Sequence, residues 1–469
     1  MRHAAAALAA FVSSVAVMNS SSAQEVALDA PVSTVNRAIE LAINHQPEVQ
    51  ARWEAFLASG DDRRAVKGGY LPSVDINGDF GRAKREYDNR GWFTRDSVEV
   101  SITQMLFDGF FVRSRLEQAD QSRLTRYYEL LDAVQTKALE AIEAYEDVRQ
   151  YRETVALAKT NQDTHQGVLK RIGERADTGV GNRVDLQQAN GRLALAQANL
   201  LTEEANLHDV TARFQRIVGV MPADALSDYA VAAASVPADF GSVMAEATRS
   251  HPSLYAANSG IRAAQAAIDE AKSAYYPKLT VGARHGLYRN TNSFDSRFDP
   301  HSHGQESYVG LNLTYNLYRG GADEARASAA VRRLYQSKEL LHKACIDLRQ
   351  TASIAWNDVA SLKVKLAALE AHRNGSAAVA AAYAEQFYIG RRTLLDVLDA
   401  KNEAFQAQRA YAQARHELNK AYYRTLYAMG VLLNVVGQSR EGIPAISDFD
   451  RGADQPTSID CGAAIAGAN

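Results

Sequence analysis

The sequence predicts a mainly α-helical chain with a small β part, built from two repeated halves. Three observations predict this fold class: long stretches without helix breakers, short segments of alternating polarity, and an internal duplication. Only 10 of the 469 residues are proline. None lies between Pro72 and Pro222 or between Pro300 and Pro444, and residues 110–166 also lack glycine. Because proline costs about 3 kcal/mol and glycine about 1 kcal/mol inside a helix, such stretches favour long helices.

The duplication is visible as residues that recur at a nearly constant spacing. Two pairs are 205 residues apart: Pro47 with Pro252, and Pro72 with Pro277. Three pairs are 211 residues apart: LFDG (106–109) with LYRG (317–320), Gly179 with Gly390, and Asp185 with Asp396. A shift of six residues between two strand-like segments accounts for the difference and lengthens one surface loop. Self-similarity of this kind predicts two similar structural units.

Each half has the pattern of a helix, two strands and two long helices. Strands are indicated by polarity that alternates with period two, as at Val74, Ile76 and Phe80. In repeat 1 (24–219) we expect a helix at 35–67, strands at 73–82 and 96–107, and a helical tip at 173–184. After a linker at 220–239, repeat 2 (240–433) has an expected helix at 240–274, strands at 278–288 and 306–318, and a tip at 387–395. The composition of 434–469 predicts a poorly ordered tail.

The long helices carry apolar residues at every seventh position. In the first half two such rows begin at Leu186 and Ala189, and Glu203 interrupts the second row. In the second half the rows begin at Val397 and Ala400, and the second row consists of alanine. A seven-residue period predicts a left-handed coiled-coil seam. Taken alone, these rows also fit a soluble structural coiled-coil protein, which stays open as an alternative.

Composition argues against several other functions. The formal net charge of −3 gives no bulk attraction to nucleic acid. Cys345 and Cys461 lie far apart and define neither a disulfide framework nor a metal site, so we expect both to be incidental. His301 and His303 lie in a polar connector without an identifiable third ligand. No string of residues typical of catalysis is present, so we expect no enzyme and no catalytic, cofactor or metal site.

Residues 1–23 have the pattern of a secretory signal peptide. Arg2 and His3 precede an apolar run, and small residues precede Gln24. Gln24 stands where a lipid-anchored protein needs cysteine, so we expect no N-terminal lipid. Beyond this segment the sequence has no run of 18 apolar residues, so any part that crosses a membrane must consist of β-strands.

Four strands per chain are too few to close a barrel, and open sheet edges are not tolerated in lipid. Two chains supply eight strands, whose interior is filled by side chains, whereas three chains supply twelve and leave a lumen. If the chain transports material, the expected assembly is a homotrimer.

Several motifs together carry a resemblance to a known family. They are the duplicated order of elements, the LFDGF and LYRGG turns, FYIGRRTLLDVLDAKN (387–402), and its weaker echo DTGVGNRVDLQQAN (177–190). With these motifs the sequence resembles the TolC-like outer-membrane efflux family from about Val35 to Leu433. The resemblance implies a trimer with a 12-stranded β-barrel in the outer membrane of a Gram-negative bacterium and a long α-helical coiled-coil barrel across the periplasm. It also implies two partners, a periplasmic adaptor (membrane fusion) protein and an inner-membrane pump of the ABC or RND type.

The resemblance assigns roles to residues at the helical tips. Asp396 and Asp399 lie three residues apart on one helix face and match aspartates that ring the closed periplasmic entrance. Arg392 matches an arginine that ties the inner hairpin to its neighbour, and Asp185 matches its acidic partner. Asp185 and Asp396 are also expected in the first turn of a helix, where the helix dipole favours a carboxylate.

Two residues depart from the family pattern near this gate. Phe387 stands where the family often has tyrosine, and Val184 where it often has a hydroxyl residue, so two hydrogen bonds of the latch are absent. The exposed turns are expected to contact the adaptor through Gly179, Val180, Gly390 and Arg391.

These observations lead to one predicted function and two alternatives. We expect the exit duct of a tripartite export system, gated at its periplasmic end and serving type I protein secretion. Efflux of small molecules such as drugs is the alternative within the same architecture, because a duct contacts its cargo only transiently. A soluble structural coiled coil is the alternative from a different class, but it does not account for the signal segment or the paired strands.

Overall fold

The structure, a computed structural model, describes residues 30–84, 91–178, 182–290, 303–449 and 459–462. It confirms the fold class that the sequence predicts. Long helices are combined with one antiparallel sheet of four strands, and each half of the repeat supplies two strands.

Each half begins with two short helices where the sequence indicated a single one. In the first half α1 (Val35–His45) precedes α2 (Pro47–Lys67), and in the second half α5 (Phe240–Ser250) precedes α6 (Pro252–Lys272). The breaks lie directly before prolines, because a proline ring disfavours the helical conformation of the preceding residue. The proline itself fits the first turn of the next helix, where no hydrogen bond from its nitrogen is required. The expected helices are therefore each interrupted once.

The four strands are hydrogen-bonded to one another in the order of the chain. They are β1 (Ser73–Lys84), β2 (Trp92–Phe107), β3 (Lys278–Arg289) and β4 (His303–Thr314). All three strand pairs are antiparallel. The central pair, β2 with β3, joins the two halves of the repeat, and β1 and β4 form the edges of the sheet.

The two faces of the sheet differ in polarity. On one face the apolar side chains are strongly exposed, and Ile76 is 71% and Val309 76% accessible. The opposite face carries polar side chains, including Asp79, Glu99 and Arg284. An apolar outer face with a polar inner face is the pattern of strands in a transmembrane barrel. We therefore assign the polar face to the lumen.

The long helices form two antiparallel hairpins. α3 (Phe111–Asp177) pairs with α4 (Arg183–Val218), and α7 (Ala322–Tyr388) pairs with α8 (Leu394–Ala428). α3 and α7 have 67 residues each, a length of about 100 Å at roughly 1.5 Å per residue. α4 and α8 are about half as long, so other helices, among them α2 and α6, pack along the remainder of the long ones. Within the described chain, no helix combines the length and apolarity needed to span a membrane.

The heptad rows of α4 and α8 are buried against the neighbouring helices. Ala189 and Ala196 of α4 and Ala400, Ala407 and Ala414 of α8 have almost no exposed surface. Such narrow seams remove little apolar area from water, at about 25 cal/mol per Å2. They bring the helices close together but stabilise less per residue than a globular core.

The main apolar core lies where α1, α3, α4 and α8 meet. Ile39, Ile142, Phe214 and Leu426 are fully buried there, one from each of these helices. The hydroxyl of Tyr145 donates to the nearby carbonyl oxygens of residues 33 and 227, each at 2.8 Å. The linker between the halves is therefore fixed to this core.

The C-terminal segment differs from the expectation of a poorly ordered tail at 434–469. After α9 (Leu432–Val436), the chain returns across α2 and α3. The ring of Phe449 lies 5.5 Å from that of Phe56 and 5.2 Å from that of Tyr127. The guanidinium of Arg440 lies 4.3 Å from the ring of Trp53. This segment has no periodicity, because single large side chains hold it, and we correct the expectation as far as residue 449.

A disulfide between Cys345 and Cys461 ties the chain end to α7. The amide of Ile459 also donates to the carbonyl of Thr248 at 3.0 Å, and Ile459 and Cys461 pack with Leu254. The expectation that both cysteines are incidental is therefore wrong. Their separation of 116 residues in the sequence does not reveal the contact, which arises because both cysteines lie in the same apolar cluster.

We expect Cys461→Ser to lower the apparent Tm of the purified protein. The cross-link closes a long loop, and removing such a bond destabilises by about 2–5 kcal/mol. Cys345→Ser and the double variant should show the same decrease, because either cysteine alone forms no bond. A double variant as stable as the unmodified protein, or much less stable than each single variant, would contradict this role. Differential scanning calorimetry with and without reductant makes the measurement.

Candidate gate at the helical tips

The turn between α7 and α8 forms the tip of the second hairpin. α7 ends at Tyr388 and α8 begins at Leu394. Gly390 has a φ of 76°, a left-handed conformation that glycine adopts without strain. The amide of Arg391 donates to the carbonyl of Gln386 at 2.8 Å. Gly390 and Arg391 are both exposed, so the end of this hairpin is an accessible surface.

Asp396 is a helix-capping residue in this structure. Its backbone amide donates to the Thr393 hydroxyl oxygen at 3.2 Å, and its carboxylate accepts from the Thr393 amide at 3.2 Å. This reciprocal pair is a capping box, which satisfies two amides that the first helical turn leaves without partners. Hydrogen bonds from the Thr393 side chain and backbone hold the pKa of Asp396 below its ordinary value. The carboxylate is therefore ionised at neutral pH.

Arg392 is held along the end of α7 and the start of α8. Its guanidinium carbon lies 4.1 Å from the ring centroid of Tyr383. Nε donates to the Gln386 side chain at 3.0 Å, and Nη1 lies 4.0 Å from the Asp396 carboxylate. Among the described residues of one chain, Arg392 forms no ion pair with Asp185. The structure thus brings Arg392 to Asp396 and leaves Asp185 apart.

Asp399 forms an ion pair with Arg192 of α4. The pair crosses from the second hairpin to the first, since Asp399 lies on α8. Asp399 and Asp396 are therefore separated in role: one carboxylate caps its own helix, and the other contacts a neighbouring helix. No sequence pattern indicated the contact between Asp399 and Arg192.

In the first hairpin, the structure describes the residues before and after the turn at the tip. α3 ends at Asp177, and α4 begins at Arg183. The Asn182 side chain caps α4 by accepting from the Val184 amide at 3.0 Å. Asp185 lies in the first turn of α4, as expected. The proposed adaptor contacts Gly179 and Val180 lie outside the described residues.

A groove of about 380 Å3 lies between the two hairpins close to their tips. Its floor is apolar and includes Ile172, Leu394 and Val397. Arg171 and Arg175 lie on its rim, where their guanidinium carbons are 5.2 Å and 5.6 Å from the rings of residues 388 and 387. Phe387, which the sequence marked only as a departure from the family pattern, therefore has a packing role.

Both halves of the chain match one protein family. The sequence profile described as "Outer membrane efflux protein" matches residues 38–220 and 243–430. The chain belongs to this outer membrane efflux protein family. The two matched segments correspond to the two halves of the repeat, which confirms the resemblance that the motifs carried.

Individual relatives agree with the family match. Outer membrane efflux protein BepC of Brucella suis is 30% identical over 382 residues, which are 79% of this chain and 79% of BepC. Alkaline protease secretion protein AprF of Pseudomonas aeruginosa is 22% identical over 408 residues, 84% of this chain and 83% of AprF. The structure of the outer-membrane channel OprN has the same fold, with a TM-score of 0.71 and 19% identity, over 84% of this chain and 89% of that chain.

Membership in the efflux family decides between the classes of function. This chain is an efflux channel of the Gram-negative outer membrane, it extends into the periplasm, and it is not an enzyme. The alternative of a soluble structural coiled coil is thereby excluded. TolC-family channels form trimers in tripartite pumps with adaptors and inner-membrane transporters.

A layer of charged side chains joins α3 to α8 in this efflux channel, and the sequence did not predict it. His416 lies between two carboxylates of α3, 2.6 Å from Glu146 and 3.0 Å from Glu153. Lys420 pairs with Asp147 at 2.7 Å. The seam between these helices is therefore held by ion pairs as well as by alanines.

The one sequence signal of this charged layer was the interruption of an apolar heptad row by Glu203. Glu203, the polar residue in the first-half row, is buried, accepts a hydrogen bond from Thr154 at 2.8 Å and pairs with Arg409 at 2.6 Å. Buried ion pairs of this kind are costly to break, because removing one partner leaves the other charge uncompensated.

His416 and Glu146 are the most deeply buried pair of this layer, with 2% and 0% of their surface exposed. Burial alone lowers the pKa of His416, but hydrogen bonds to Glu146 and Glu153 outweigh it, and the pKa is raised above its ordinary value. The nearby Arg415 opposes this effect. For Glu146, burial raises the pKa, but His416, Tyr229 and Arg149 together outweigh burial and lower the pKa to about 2. The contact between the two side chains therefore favours a protonated imidazole on His416 and an ionised carboxylate on Glu146.

We expect the stability of the channel to decrease as the pH rises through the raised pKa of His416. The stabilisation is complete below the unfolded pKa of about 6.5 and is lost as the bound proton leaves. His416→Gln should destabilise by about 3–5 kcal/mol at pH 6 and remove this pH dependence. Apparent Tm measured at a series of pH values checks both points. Parallel pH profiles for the two proteins would contradict a protonated His416.

Proposed function

We propose that this channel is the exit duct of a type I protein secretion system. The observation that carries this proposal is the similarity to AprF, whose name assigns it to the secretion of an alkaline protease and which the chain matches over most of its length. A pump of the ABC type is then the inner-membrane partner. Because the duct contacts cargo only in passing, the pump and the adaptor select the polypeptide.

Small-molecule efflux is the second candidate, with a pump of the RND type as the partner. It is favoured by the similarity to BepC, which is named an efflux protein and shares 30% identity with this chain. The two candidates use the same duct, and they differ in what reaches it from the inner membrane.

Deletion of the gene separates the two candidates. For the secretion duct we expect at least one polypeptide to disappear from the culture medium, as measured by mass spectrometry of the supernatant, while susceptibility to dyes, detergents and antibiotics is unchanged. Re-expression of the unmodified chain is the control and should restore the polypeptide. An unchanged set of secreted proteins together with increased susceptibility would contradict protein secretion and support small-molecule efflux.

We propose further that the helical tips form a gate, closed by contacts between neighbouring hairpins. Arg392 is accessible at the tip, and Asp185 lies in the first turn of α4. Since the two do not pair within one chain, the proposed link joins Arg392 to Asp185 of a neighbouring subunit. An exposed ion pair contributes only about 0–1 kcal/mol, so three copies form a latch that adaptor docking can open.

In this proposal Asp396 and Asp399 narrow the entrance with negative charge. Asp396 is ionised and partly exposed at the start of α8, which supports this role. Asp399 is neutralised in part by Arg192, so its charge becomes available to a passing ion when α8 moves away from α4. Three chains place six carboxylates around the axis of the entrance.

Adaptor docking is proposed at the exposed turns. Gly390 and Arg391 are accessible, and we assign the corresponding contacts of the first hairpin to Gly179 and Val180. The apolar groove between the hairpins, with Arg171 and Arg175 on its rim, supports docking at the same end. A hairpin of the adaptor with an apolar edge and acidic flanks has the complementary chemistry.

Single-channel conductance in planar bilayers tests the gate. We expect Arg392→Ser to raise the conductance several-fold, because it removes the link between hairpins, and Asp396→Ala/Asp399→Ala to weaken the preference for cations. Unchanged conductance and selectivity in both variants would refute the gate.

Two matched variants distinguish the gate from the local contacts of the same residues. Thr393→Ala removes the cap hydroxyl and keeps the charge of Asp396, so any effect that it shares with the Asp396 substitution belongs to the helix cap. Arg192→Ser removes the partner of Asp399, and in this proposal it should increase the preference for cations.

A further inference from the structure

The lumen-facing side of β3 and β4 has an unusual composition. Successive residues of a strand point to opposite faces, so the polar face of β3 carries positions 280 to 288 in steps of two, and that of β4 carries positions 304 to 314. Four of these positions are glycine and two are tyrosine: Gly282, Gly286, Gly304, Gly310, Tyr288 and Tyr308. On the same face, positions 75 to 81 of β1 and 95 to 103 of β2, taken in steps of two, hold no aromatic residue, and Phe93 lies beyond them toward the start of β2. Opposite these positions, the aromatic side chains therefore belong to the second half of the repeat.

Each tyrosine ring lies flat over the glycine two residues away on its own strand. A Cβ atom built on Gly310 would lie 2.6 Å from Cζ of Tyr308, and one built on Gly286 would lie 2.6 Å from Oη of Tyr288. Packed Cβ atoms do not approach other atoms so closely, so the rings occupy the space that a side chain would need. Glycine in a strand commonly marks a site where another group lies close to the backbone. An aromatic side chain nearby then covers the backbone that the missing side chain leaves exposed.

Polar contacts hold both rings in this position. The Tyr288 hydroxyl donates to the Glu99 carboxylate on β2 at 2.5 Å. The guanidinium carbon of Arg284 lies 5.0 Å from the ring centroid of Tyr308. Arg284 is itself fixed by Glu306 at 3.2 Å and by Glu99 at 3.9 Å. The two rings thus share one network of charges, which spans three strands of the lumen wall.

We propose that Tyr288 and Tyr308 set the bore of the membrane-embedded part of the channel, because they are held flat against the wall over Gly286 and Gly310. A ring that lies along the wall leaves the lumen open, whereas a ring lifted from the wall points into it. In a trimer these tyrosines form a band of six rings at two levels, because Tyr308 lies opposite Arg284, four residues along β3 from Tyr288. Lifting the three rings of one level narrows the lumen there from three sides. This role rests on the chain's function as a channel, and it is independent of the cargo and of the gate at the tips.

The chain offers a matched set of variants for this proposal. Gly310→Ala and Gly286→Ala add a methyl group under a ring and should lift it. Gly282→Ala adds the same group to the same face, but its nearest neighbour is the carbonyl oxygen of Ile102 at 3.9 Å, an ordinary contact. Gly282→Ala therefore controls for the loss of a glycine from the lumen wall.

The width of the bore can be measured from outside the cell. Thr280→Cys places a thiol on the lumen face, on the helix side of the band. The native cysteines are joined to each other, so this is the reactive thiol of the variant. Intact cells are treated with maleimides of increasing size, and labelling of Thr280→Cys is followed by gel shift. This readout does not require passage through the periplasmic tips.

We expect Gly310→Ala and Gly286→Ala to slow labelling by bulky maleimides several-fold and to leave labelling by the smallest one unchanged. Adding Tyr308→Ala to Gly310→Ala should restore access, which also shows that the variant barrel has folded. The proposal would be overturned if labelling depended on maleimide size in the same way for Gly310→Ala and Gly282→Ala while Thr280→Cys itself was labelled normally. That result would leave the function as a channel intact. If no maleimide labelled Thr280→Cys, the sheet would not line an open channel, and the proposed duct function would fail as well.

Discussion

The two edges of the four-stranded sheet constrain every other part of this molecule. β1 and β4 each present a row of backbone amides and carbonyls, and the same sheet exposes an apolar face that includes Ile76 and Val309. In lipid the apolar face is favoured but open edges are not, which agrees with the trimers that TolC-family channels form. The duplicated chain follows from this requirement: each half adds one hairpin to the shared barrel and one pair of long helices below it.

The helical part is stabilised in a different way at different distances from the sheet. Near the middle, α1, α3, α4 and α8 bury large side chains such as Tyr145 and Phe214 in an ordinary core. Farther along, the helices meet through alanine seams, and the charged layer around His416 and Glu203 fixes their register. A buried ion pair adds little net stability compared with apolar residues of similar size. Each buried charge nevertheless requires an oppositely charged partner at one position, because an unpaired charge is costly. The layer therefore restricts how the hairpins can slide along one another.

Sequence patterns revealed the elements of this fold because those patterns are local. Periodicity found the strands and the seams, but it missed the helix breaks before Pro47 and Pro252, which a proline causes at the residue that precedes it. Contacts between distant residues left no comparable signal. The pairing of Asp399 with Arg192, the position of His416 between two carboxylates, and the return of Phe449 to Phe56 depend on how separate helices meet. Glu203 is instructive, since its interruption of an apolar row marked a buried partner without showing which residue that partner was.

The cross-link at the chain end has a consequence for biogenesis. Cys461 follows Cys345 by 116 residues, so the ribosome must make the remainder of α7 and all of α8 before the second thiol exists. The bond can therefore form only after this whole stretch has been exported to the oxidising periplasm. Products of translation that stop before residue 461 lack the bond, which distinguishes them chemically from chains that contain both cysteines.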